Sequence, residues 1–222
     1  MKRFNLCYIR VPKAASSSIM EYFYKNICDT KTDIISHGIT NYPERLSFIN
    51  CPKLKHSHVD AKFSIDELNV PNNAKFIGVV RHPLERQISL YLFRIRNDVY
   101  KCGKHDMPTH FRSKLINGEL QDRQAHQKKH QHTFLEYKEP INSEWWIYER
   151  VEQHLMDLMK EYKIEQKVNF GYLNKSTQSL GKSKELIDVL YDDNTKKLAE
   201  KAFEKDIDLY YERKKYYDEL YS

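Results

Sequence analysis

Cys7-Tyr8-Ile9-Arg10-Val11-Pro12-Lys13-Ala14-Ala15-Ser16-Ser17-Ser18-Ile19 reads as a strand, an anion-cradling loop and the start of a helix. Phe4, Leu6, Tyr8, Ile9 and Val11 suit a buried strand, while Ile19, Met20, Phe23, Tyr24 and Ile27 recur at helical spacing. The loop between them is therefore a helix N-terminus. Backbone N–H groups and the positive end of the helix dipole converge there, Ser16 to Ser18 add hydroxyl donors, and Lys13 adds a full charge. That combination suits a phosphate-like group. A strand followed by a serine-capped helix with an exposed lysine is the alternative reading of the same residues. The nucleotide pattern G-x-x-x-x-G-K-[ST] is not met, because it places glycines ahead of the lysine and this loop has none.

The chain of 222 residues suits one domain, with interior enough for a central sheet covered by helices, and no linker divides it. Its 37 Lys and Arg against 31 Asp and Glu give a formal charge of +6, which suits an anionic ligand but is too dilute to announce nucleic acid. The four cysteines, Cys7, Cys28, Cys51 and Cys102, lie far apart, and the sequence shows neither a signal peptide nor a spanning apolar segment. Reduced thiols and a cytoplasmic setting are the expectation.

Ile34 to Gly38 reads as a short strand. In Leu54 to Phe63, His56 and His58 share one side of any extended segment because side chains alternate. Ala74 to Val80 is a second clear strand, its apolar run that of an interior parallel strand. Pro83 then suits the first position of a helix whose buried stripe is Leu84, Ile88, Leu92 and Ile95. Arg81 falls where that strand meets that helix, the edge of a parallel sheet where ligands bind. From Asn97 to His132 the periodicity fades and the chain turns polar and basic, as a substrate loop or lid would. Cys102, His105, His110, His126, His130 and His132 lack the paired spacing of a zinc site, so no metal is expected. Further on, Trp146 to Tyr148 reads as a strand, Val151 to Tyr162 as a helix, Val168 to Leu173 as a strand, and Leu186 to Tyr191 and Thr195 to Tyr217 as helices. Trp145 and Trp146 read as packing rather than as a sugar platform.

Two stretches together resemble the sulfotransferases that use 3′-phosphoadenosine 5′-phosphosulfate (PAPS). Pro12-Lys13-Ala14-Ala15-Ser16-Ser17-Ser18 is similar to the family's 5′-phosphosulfate loop, P-K-x-G-T-T-[SW], with Ala15 for glycine and serines for threonines. Arg81-x-Pro83-x-x-Arg86-x-x-Ser89-x-Tyr91 is similar to its 3′-phosphate segment, R-x-P-x-x-R-x-x-S-x-Y. Gln131 to Tyr162 resembles carbohydrate-directed members, Asn174-Lys175-Ser176 an element that comes near the nucleotide, and Ile207 to Tyr211 the terminal D-x-x-L-Y pattern, which would pack the last helix on the sheet with no chemical role. The resemblance implies an α/β fold, one three-layer domain over 1–222 with a central, mainly parallel sheet flanked by helices, and 97–132 as substrate loop or lid.

It also implies the chemistry. A sulfuryl group would pass from PAPS to an acceptor hydroxyl, that of a carbohydrate such as an acidic glycan, leaving adenosine 3′,5′-bisphosphate (PAP). Lys13 and the loop N–H groups would stabilise the departing phosphate, while Arg81, Ser89, Lys175 and Ser176 hold the nucleotide. His58 is the first choice of base, His56 the next, and Glu21 and Asp60 are weaker carboxylate candidates. Two alternatives stay open: a nucleotide kinase of related fold, and a PAP- or PAPS-binding protein without catalysis.

Overall fold

A computed structural model of the chain describes residues 6–27, 34–36, 60–67, 70–71, 73–118, 130–171 and 184–222. These residues form two compact units, Met1–Val80 with Gln131–Leu173 and Arg81–His130 with Asn174–Ser222.

The first unit is α/β. Strand β1 is Leu6–Tyr8, β2 Ile34–Ser36, β3 Lys75–Val80 and β4 Ser143–Ile147. They pair in the order β2-β1-β3-β4, and every pair is parallel. Leu6 stands opposite Ile34 on one side and Lys75 on the other, while Val79 stands opposite Trp146. Such strands are covered on both faces, and the described side chains of β1 and most of β3 are buried accordingly. Helices α1 (Ser16–Ile27), α2 (Ala61–Asp66) and α5 (Val151–Glu161) belong to this unit. Phe23 of α1 meets Tyr8 edge-on at 5.6 Å. Burial pushes the Cys7 thiol up to about 12, so it acts as a small core side chain.

Gly78 is required by its neighbour: a Cβ there would lie 2.7 Å from Cζ3 of Trp145, whose ring crosses the strand. Trp145 and Trp146 are both buried, in agreement with packing. His154 stacks on Trp146 at 5.3 Å, and its Nε2 accepts the Ile147 N–H at 3.3 Å.

The second unit is helical among its described residues. Helix α3 is Pro83–Arg96, α4 Met107–Ile116, α6 Ile187–Leu190, α7 Asp193–Ala202 and α8 Glu204–Leu220. The expected stripe of α3 packs with Met107, Phe111 and Leu115 of α4 and with Leu190, Tyr191, Ala199 and Phe203.

Four expectations need correction. Residues 107–116, read as part of an aperiodic polar loop, form a helix whose Met107, Phe111 and Leu115 are buried at i, i+4 and i+8. The strand expected at Trp146 to Tyr148 runs instead from Ser143 to Ile147, and Tyr148 opens a 3₁₀ turn. Residues 168–171 join no strand. There the N–H groups of Lys167 and Val168 donate to Asn26 Oδ1 at 2.6 and 2.9 Å, so a side chain of α1 takes the place of a ladder. The single helix expected from Thr195 breaks at Phe203, whose buried ring and non-helical backbone (φ −114°, ψ 21°) separate α7 from α8.

Candidate functional site

The strand order identifies a candidate ligand site. The chain moves from β1 to β2 on one side and later to β3 on the other, so β1 and β3 are adjacent strands whose connections leave in opposite directions. In open parallel sheets ligands bind beyond the carboxyl ends of the strands at this switch point. The loop after β1 is Ile9 to Ala15, and the residue after β3 is Arg81.

The first loop turns tightly. Ile9 N donates to Ile77 O at 2.8 Å, continuing the β1–β3 pairing, and Ala14 N donates to Val11 O at 3.4 Å. Lys13 and Ala15 both adopt left-handed backbone conformations, φ 64° and 60°. Ala15 thus takes the conformation that a glycine would take most cheaply, and its Cβ has not prevented it. Pro12, Ala14, Ser16 and Ser18 are buried, whereas Lys13, Ala15 and Ser17 are half-buried. The first i−4 bond of α1 runs from Ile19 N to Ala15 O at 3.0 Å, so the N–H groups of Ser16 to Ser18 come before it in the opening turn. No acidic residue occupies that turn.

Arg10 is a residue that motif reading passed over. It is buried near the start of the loop, although a charge so placed in an apolar run was itself a signal. Beside it, burial raises the Tyr8 hydroxyl pKa above its ordinary value, with the Arg10 charge opposing.

In the second unit, Arg81 and Ser89 are buried and His82 is half-buried. Pro83 sits at the start of α3 as its fixed φ favours, and Arg86 N donates to His82 O at 3.0 Å. Arg81 Nη2 lies 3.4 Å from Glu85 Oε2, an i, i+4 pair visible in the spacing yet absent from the motif argument. Arg86 is buried too, which lowers its pKa to about 10, while the charge of Asp206 acts in the opposite direction.

The expected bases His56 and His58, and the expected nucleotide contacts Lys175 and Ser176, lie outside the described residues. The two carboxylate alternatives have structural engagements. Asp60 caps α2, its side chain accepting Phe63 N at 2.8 Å and its carbonyl accepting Ser64 N at 3.1 Å. Glu21 pairs with Lys25 at 2.8 Å along α1. Among the described residues no helix is long and apolar enough to cross a membrane.

Comparison with known proteins bears on the whole chain. No curated protein matches it significantly. A solved sulfotransferase from Alicyclobacillus acidocaldarius is similar at 13% identity, with a TM-score of 0.46 and 95% of each chain covered. The family model described as "Sulfotransferase family" matches residues 1–214, a span that takes in both the loop after β1 and the Arg81–Ser89 segment. With nearly its entire length accounted for by that match, the chain belongs to the sulfotransferase family.

Proposed function

We propose that this protein transfers a sulfuryl group from PAPS to a carbohydrate hydroxyl and releases PAP. The observation that carries the reading is the turn after β1, in which Lys13 and the opening N–H groups of α1 follow a central parallel strand at the switch point of the sheet. In the reaction the acceptor oxygen attacks sulfur as the bond from sulfur to the bridging oxygen breaks. Negative charge grows on that oxygen, and Lys13 with the loop N–H groups answers it. The acceptor proton passes to His58, with His56 as the next choice. Arg81 and Ser89 hold the 3′-phosphate, which selects PAPS over nucleotides lacking it. Lys175 and Ser176 add contacts to the nucleotide. An acidic glycan suits the formal charge of +6.

Calorimetry with PAP, PAPS and ATP tests the donor. Micromolar PAP binding, much weaker ATP binding and loss of PAP binding in Arg81→Ala are expected; equal affinity for ATP and PAP overturns the reading in favour of a nucleotide kinase. Transfer of radiolabelled sulfate to a panel of glycans, phenols and peptides tests the acceptor, and PAP binding without any turnover would leave a binding protein.

A further inference from the structure

The first turns of α3 are gripped from a distant part of the sequence. Asp206, in the first turn of α8, is fully buried, and its carboxylate acts on the buried Arg86 guanidinium. The same carboxylate lies 3.8 Å from His130 Nδ1. One turn along α8, the Tyr210 ring meets His82 edge-on at 5.1 Å. Tyr211 adds a second edge-on contact at 5.8 Å, with its hydroxyl 3.4 Å from His82 Nε2. His82 and Arg86 are four residues apart, as are Tyr210 and Asp206, a spacing of about one helical turn in each case. Arg81 lies next to the gripped His82, and Ser89 shares a face of α3 with the gripped Arg86.

We propose that Asp206, Tyr210 and Tyr211 are positioning residues that hold the Arg81–Ser89 segment in the arrangement that takes a 3′-phosphate. The inference rests on the nucleotide reading above and gives the terminal D-x-x-L-Y pattern a role beyond packing. A buried arginine needs a counter-charge to stay ordered. The Asp206 charge acts on it from a helix whose Tyr210 and Tyr211 meet His82 only when the chain has folded back, so the phosphate segment is set before any ligand arrives.

Two variants keep stability separate from positioning. Tyr211 is half exposed, so Tyr211→Ala leaves the core intact. The double variant Arg86→Met with Asp206→Leu removes both buried charges together, which is far milder than orphaning one. Calorimetry compares PAP with adenosine 5′-monophosphate, which lacks the 3′-phosphate. A generally loosened protein loses affinity for both, so the ratio is the informative quantity. We expect the preference for PAP to fall by about threefold in Tyr211→Ala and about tenfold in the double variant, with adenosine 5′-monophosphate affinity little changed. Preferences within about twofold of the wild type in both folded variants would overturn the inference alone. Should the wild type itself show no preference for PAP, the 3′-phosphate reading falls and takes the inference with it.

Discussion

Replacing Ala15 with glycine tests the strain in the loop after β1. Ala15 sits at φ 60°, where an L-residue with a Cβ costs about 1–2 kcal/mol relative to a right-handed conformation. Glycine removes that cost but adds freedom to the unfolded chain worth about 0.4–1 kcal/mol. The difference leaves Ala15→Gly more stable by roughly 0.5–1 kcal/mol. For a chain of 222 residues this is a rise in Tm of about 1–4 °C. Ala14 provides the control, because it is fully buried and is not among the residues with positive φ. Ala14→Gly gains nothing from the backbone and loses a packed methyl, so it should destabilise by roughly 1–2 kcal/mol. Urea and thermal melts of the two variants, run beside the wild type, read the contrast directly. Opposite signs at neighbouring positions are the expected result; a loss of stability in Ala15→Gly as large as that in Ala14→Gly would refute the reasoning.

Gly78→Ala should lower stability by about 1–3 kcal/mol, since its Cβ would stand 2.7 Å from the Trp145 ring, and a lowered Tm with shifted tryptophan fluorescence would report the displaced indole. His154, held to about 4 against an ordinary 6.5 by burial, binds its proton more readily when unfolded; its contribution to stability is complete above pH 6.5 and is lost as pH falls through 4. That loss amounts to roughly 2–3 kcal/mol by pH 4, and urea midpoints across the window should be flatter in His154→Gln than in the wild type. Lys13→Ala should cut sulfate transfer by about tenfold or more through loss of a charged donor, while Tm moves by no more than about 2 °C. Equal losses of rate and stability would make Lys13 a structural residue.

Local pattern carried the reading of the sheet and its two motif loops. An apolar run that breaks at Pro12-Lys13 and resumes at helical spacing is enough to announce β1 and α1, and the run ending at Val80 with Pro83 behind it does the same for β3 and α3. The failures have one physical character. Met107, Phe111 and Leu115 are correctly spaced, but basic neighbours dilute the stripe, and Pro108 reads as a breaker although it occupies the permissive start of α4. Phe203 looks helical by composition, yet core burial of its ring goes with a break in the helix that propensity alone would not place. The apolar run from Val168 resembles a strand in sequence, but Val168 sits at a bend whose N–H and carbonyl are both bonded by the Asn26 side chain, 142 residues away. The charge of Asp206 likewise acts on Arg86 across 120 positions of sequence, beyond the reach of any periodicity.

The loop after β1 also shows how far an argument from missing glycine extends. Without glycine the sequence excludes the G-x-x-x-x-G-K-[ST] pattern, and that exclusion stands. It does not exclude the left-handed turns that glycine usually supplies, since Lys13 and Ala15 both make them. Left-handed residues with a Cβ persist only where the surroundings determine the backbone more strongly than the strain opposes it. Here the surroundings can be named: Pro12 and Ala14 are buried on either side of Lys13, Ile9 N is tied to β3, and Ile19 N closes the first turn of α1 on Ala15 O. The strained residues, Lys13 and Ala15, are half-buried, while the residues that hold them are buried. Strain therefore falls on the backbone that carries the Lys13 charge, and the core on both sides keeps that residue at the end of the central strand.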